Sequence, residues 1–112
     1  MDEVFNEAEL LETVQGDREL LAELGTLFLN DAPAQFNAVR DAITRDDAPA
    51  LRFAAHALKG SAATLTARRI AGFAYELEKM GAEGNLTGAS ERLQQMEAAF
   101  SELRDRLAAR SN

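Results

Sequence analysis

The sequence predicts an all-α fold, an antiparallel four-helix bundle with an additional N-terminal helix. Three observations predict it. Ala, Leu, Glu and Arg dominate a chain with only two prolines, a composition that favours helix by intrinsic propensity. Apolar residues recur at spacings of three and four in successive segments, as one buried helix face requires. The turn signals between these segments are short, so neighbouring helices must run antiparallel. At 112 residues the chain is expected to form a single domain, residues 1–112, around one core.

The first segment predicts a short helix over Asn6 to Val14, ended by Gly16. Asp17 then reads as the N-cap of a second segment, with Leu20, Leu21, Leu24 and Phe28 on one side. Pro33 removes an amide donor, which predicts a kink or break there before Phe36, Val39 and Ile43 resume the stripe to about Arg45. Asp46-Asp47 followed by Pro49 is a helix start, and Leu51, Ala55, Leu58, Ala62 and Leu65 line one face of the helix it opens. Ile70, Phe73, Ala74, Leu77 and Met80 give the next helix its core face, with Gly81 and Gly84 as its stop. Leu86, Leu93, Met96, Phe100, Leu103 and Leu107 form a heptad-like seam in the last, where Arg104, Arg106 and Arg110 suit the negative end of the helix dipole.

Charge and composition exclude several classes of function. A formal net charge of -7, with no Lys/Arg cluster on one face to offset it, disfavours nucleic acid and acidic membrane surfaces as partners. Without cysteine there are no disulfides and no thiolate metal sites, which agrees with a reducing compartment; a cytoplasmic location is expected. No apolar run approaches the ~20 residues needed to span a bilayer, so no direct membrane contact is expected. No glycine-rich nucleotide loop is present, and the acids show no metal-site spacing, so neither ATP nor a resident metal is expected. A single histidine without cysteine also argues against a small metal-dependent or hydrolytic enzyme.

That histidine, His56, follows the stripe residue Ala55, and ~100° per residue turns it off the core face. Arg52, Lys59, Gly60 and Ala63 share its side. A neutral, solvent-facing imidazole leaves one ring nitrogen free as a nucleophile able to accept a phosphoryl group. Gly60 costs the helix up to ~1 kcal/mol against alanine. In return, the missing side chain one turn after His56 opens space beside the ring, which Ala63 keeps open. Lys59 sets an ammonium where it can pair with phosphoryl oxygens. Glu78 lies about as far beyond the turn near Thr66-Ala67 as His56 lies before it, so its carboxylate is expected to accept Nδ1–H and fix Nε2 as the nucleophile.

The run Ala55-His56-Ala57-Leu58-Lys59-Gly60-Ser61-Ala62 resembles the signature segment of histidine-containing phosphotransfer (HPt) domains. The likeness extends from Asp17 through Phe28-Leu29-Asn30-Asp31-Ala32-Pro33 to Leu77-Glu78 and Gly81, about two thirds of the chain. It implies a phosphoacceptor at His56, a phosphate-neighbouring Lys59, the small Gly60, a ring-orienting Glu78 and a helix-packing Ser61. It further implies a passive carrier rather than an enzyme, exchanging phosphoryl groups with the receiver domain of a response regulator or hybrid kinase. Such a carrier has no cofactor of its own, the Mg²⁺ being supplied by the receiver.

Two positions depart from the family. Thr66 stands where a glycine is frequent, and a β-branched residue disfavours positive φ, so Thr66 is expected to cap the next helix instead. Ala74 replaces a common cysteine and keeps a small buried residue. Apolar and small residues around His56, with Phe5 and Leu11, are expected to form the docking patch. The segment Glu3-Val4-Phe5-Asn6 resembles what precedes such domains in hybrid sensor kinases, and a monomer is the expected state. The competing reading is a non-catalytic helical interaction domain in which His56 is an incidental surface histidine.

Overall fold

A computed structural model describes residues 6–110, with the side chain of Arg110 outside the description. Five helices follow one another among the described residues: α1 (Glu7–Thr13), α2 (Arg18–Thr44), α3 (Ala48–Thr64), α4 (Arg68–Glu83) and α5 (Ala89–Arg110). α3 packs on both α2 and α4, α4 on α5, and α5 closes the ring against α2. Two helix starts read from sequence, Asp17 and Asp47, are made by the expected side chains, and Asn6, read as the first residue of a helix, is the cap of α1 instead. Asn6, Asp17 and Asp47 accept hydrogen bonds from the backbone amides of Glu9, Leu20 and Ala50, satisfying donors that the first helical turn leaves open.

The interior follows the sequence stripes closely. Leu51, Ala55, Leu58, Ala62 and Leu65 of α3 are buried, as are Ile70, Ala74 and Leu77 of α4 and Leu93, Met96, Leu103 and Leu107 of α5. Phe73, Met80 and Phe100 are half-buried against the same cluster. In α2 the buried face runs through Leu21, Gly25, Phe28, Ala32, Phe36, Val39 and Ala42, so Leu20, one residue round from Leu21, is exposed instead of joining it. Each fully buried Leu or Phe contributes ~1.5–3 kcal/mol, and this shared core rather than helix propensity holds the bundle together.

Four local expectations are corrected. Of the kink or break expected at Pro33, no break occurs: α2 is a single helix of 27 residues. Phe28 and Phe36 lie on either side of the proline, and both rings pack on Phe100 of α5, with centroids 5.9 and 5.1 Å apart. Their burial outweighs the ~3 kcal/mol that an interior proline costs. Gly81 is no stop signal either, since it is buried inside α4, and Gly84 with φ +73° ends the helix. A β-carbon at Gly81 would come within 2.6 Å of Arg52 N and 2.8 Å of Ala48 O, so this glycine lets the backbones of α3 and α4 meet. Leu86 lies half-buried in the connection before α5.

Thr66 does not cap α4, whose N-cap is Ala67 with no side-chain bond. It takes the left-handed conformation, φ +61°, and is buried. Its hydroxyl accepts from Asn6 N at 2.9 Å and donates to Asn6 O at 3.1 Å, which offsets the strain of a β-branched residue there. Arg68 adds an ion pair to Glu9. α1 is thereby fastened over the end of the bundle where α3 turns into α4.

Candidate functional site

His56 projects from the middle of α3 with 68% of its side chain exposed, because the neighbouring Ala55 and Leu58 occupy the buried face. Across the α3–α4 pair, Glu78 reaches the ring: its Oε2 lies 2.9 Å from His56 Nδ1. The other oxygen, Oε1, lies 2.7 Å from Lys59 Nζ. One carboxylate therefore joins two residues of α3 that are one turn apart. The expected level of Glu78 opposite His56 is what the structure has, and with Nδ1–H donated to the carboxylate, the Nε2 lone pair is the free one.

The electrostatics keep Glu78 ionised. The Lys59 ammonium, hydrogen-bonded to it, holds its carboxyl below the usual carboxylate range; partial burial opposes this and is outweighed, and His56 adds to the lowering. Lys59 is thus engaged with α4 in this state. Its ammonium also lies 5.5 Å from the centre of the Tyr75 ring, a cation–π contact with the same helix.

The remaining residues of the predicted face are in place. Gly60 and Ala63 are exposed, and a β-carbon at Gly60 would meet nothing within 4 Å, so the space beside the imidazole is open. Ser61 accepts a hydrogen bond from Gln35 of α2 at 3.1 Å and donates to Ala57 O, tying α3 to α2 just below this face. Ala74 is a small, fully buried residue. Leu11 is half-buried against the core, and Phe5 lies outside the described residues. Sequence reasoning passed over Phe53, 80% exposed at three residues before His56. The ~100° rule that turned His56 outward puts Phe53 on the same face, and that signal was available.

Among the described residues no cluster of His, Cys, Asp and Glu could hold a metal ion, and no helix is long and apolar enough to cross a membrane. What the arrangement offers chemically is an exposed imidazole on a helix, one ring nitrogen against an ionised carboxylate and the other open to solvent.

A family model for the Hpt domain matches residues 23–106, which include the whole of α3 and α4. The chain belongs to the Hpt domain family. Among solved structures this Hpt domain is similar to the crystal structure of histidine-containing phosphotransfer protein B (HptB) from Pseudomonas aeruginosa PAO1. The TM-score is 0.88 and the identity 26%, over 96% of this chain and 93% of that one. No curated protein sequence matches the Hpt domain described here. The helical bundle, the α3 face and the family agree with one another.

Proposed function

We propose that this Hpt domain is a phosphocarrier of a two-component phosphorelay, in which His56 takes a phosphoryl group from the aspartyl phosphate of one receiver domain and delivers it to another. The observation that carries the reading is the exposed imidazole whose Nδ1 is held by Glu78. In the transfer, the Nε2 lone pair forms the N–P bond as the P–O bond to the receiver's aspartate breaks, its electron pair leaving with the carboxylate. Nδ1 keeps its proton throughout. The ring becomes a phosphorylated imidazolium, and the Glu78 carboxylate balances its positive charge, so the reverse transfer runs through the same geometry.

Lys59 is the cation that neighbours the phosphoryl group, one helix turn from His56, while Gly60 and Ala63 leave room for the group and for the incoming domain. Alignment and charge neutralisation are most of what phosphoryl transfer requires, so the carrier needs no cofactor of its own and the Mg²⁺ comes with the receiver. The protein acts in the cytoplasm as a monomer, without direct membrane contact, alone or joined to a hybrid sensor kinase. A non-catalytic interaction domain would have no need of a carboxylate holding its surface histidine.

The test is transfer from radiolabelled, phosphorylated receiver domains to the protein and to His56→Gln. Acid-labile, alkali-stable label on the wild type and none on the variant is the expected result. A folded wild type that takes label from no receiver overturns the reading.

A further inference from the structure

The stretch of sequence that carries His56 is unlike the rest of the chain in charge, and the one acid beside it, Glu78, is paired with Lys59. The chain carries 19 Asp and Glu and a net charge of -7, yet none of those acids falls between Ala48 and Tyr75. On α3 this acid-free stretch presents Arg52, Phe53, His56 and Lys59 to one side. Phe53 is the most exposed of the large apolar side chains described, and it lines, with Pro49, Arg52, His56 and Glu78, an open depression of about 360 Å³. An aromatic ring left in water has no role in the core, and a buried aromatic beside an arginine is the usual make-up of an interface hot spot.

We infer that Phe53 and Arg52 are the docking residues that determine which receiver domain His56 exchanges with: Phe53 is the apolar anchor and Arg52 the charge that meets the partner's acidic rim. This rests on the phosphocarrier reading above. Two observations select a receiver as the occupant. The patch is continuous with the nucleophile, since the same depression touches Phe53 and His56. Its charge is also complementary, because a receiver presents a phosphorylated aspartate beside the carboxylates that hold its Mg²⁺. Leu27, the next most exposed of the large apolar side chains described, fits such a partner less well. Leu27 lines one hollow with Glu19 and Glu23 and another with Asp31, acids that repel an anionic surface.

The experiment measures dissociation constants and transfer kinetics for the wild type, Phe53→Ala, Phe53→Leu, Arg52→Gln and His56→Gln against a receiver that exchanges phosphate with the wild type. Phe53→Ala is expected to weaken binding at least tenfold, seen in KM rather than kcat, with Phe53→Leu restoring part of the loss. Arg52→Gln is expected to weaken binding chiefly at low salt and to flatten its salt dependence. His56→Gln is expected to abolish transfer. Circular dichroism confirms that each variant is folded. Wild-type binding and kinetics for Phe53→Ala and Arg52→Gln overturn the docking assignment while the carrier reading stands; no transfer to the wild type from any receiver overturns the carrier reading itself. Sedimentation of the wild type as a dimer that Phe53→Ala dissolves gives the patch to a second copy of this chain and also overturns the assignment.

Discussion

Glu78 is shared by two cationic or potentially cationic groups of the neighbouring helix, and the consequence for stability has a definite sign. Its carboxyl is held below the ordinary value, first by Lys59. A carboxylate favoured in the folded state stabilises the protein above its unfolded pKa, ~4.3 for glutamate, and loses that contribution as the pH falls through the lower folded value. The ion pair with Lys59 is therefore fully present at neutral pH. Glu78→Gln keeps an acceptor for Nδ1–H but loses the charge. Its thermal midpoint, followed by circular dichroism, is expected to lie below that of the wild type at pH 7 and to converge on it as the pH drops below about 4. A gap that stays constant across that range would show that ionised Glu78 does not stabilise the fold. At this scale the sequence was legible where counting residues decides the outcome: one step past Ala55 turns His56 outward, and similar distances from the Thr66-Ala67 turn set Glu78 level with it. That Lys59 turns to Glu78 was not legible, because it depends on how far apart α3 and α4 stand.

At the scale of elements, two glycines on adjacent helices serve opposite ends. Gly60 faces open space on α3, whereas the missing side chain of Gly81 on α4 is filled by the backbone of α3 at Arg52 and Ala48. Alanine at position 60 is expected to stabilise the helix by ~0.5–1 kcal/mol while slowing transfer at His56, because a methyl group then stands one turn from the imidazole. Alanine at position 81 is expected to destabilise by ~1–3 kcal/mol, lowering the thermal midpoint by several degrees, since backbone atoms cannot step aside as a flexible side chain would. Thermal melts of Gly60→Ala and Gly81→Ala, with phosphotransfer rates for the first, check both; equal shifts of the same sign would refute the distinction. In sequence the two kinds of glycine look alike, and a glycine three residues before Gly84 reads naturally as part of a stop. Pro33 shows the same limit. Local rules predict a kink or a break, whereas α2 is continuous and the rings of Phe28, Phe36 and Phe100 meet across that point.

Over the whole molecule, one contact that joins distant parts of the chain is the clasp between Thr66 and Asn6, sixty positions apart. It fastens α1, a helix of seven residues too short to be stable alone, to the end of the bundle. Thr66→Ala removes both hydrogen bonds and keeps an unfavourable left-handed residue, for a loss of ~0.5–1.5 kcal/mol per bond. Hydrogen exchange is expected to register it locally: the amides of Leu10 and Val14 lose protection, while those of Leu58 and Leu77 in α3 and α4 keep theirs. Uniform loss of protection would mean that the clasp supports the global fold and not the end of the bundle.

The amino-acid sequence by itself determined the helices, the caps Asp17 and Asp47, most of the core stripes and the outward face of His56, because each follows from interactions within one or two turns of a helix. Tertiary structure alone decided that α2 runs through Pro33, that Gly81 lies against the backbone of α3, that Thr66 takes a conformation its side chain disfavours, and that Lys59 shares Glu78 with His56. In each of these the local preference is worth at most a few kcal/mol, and contacts between segments far apart in the chain outweigh it.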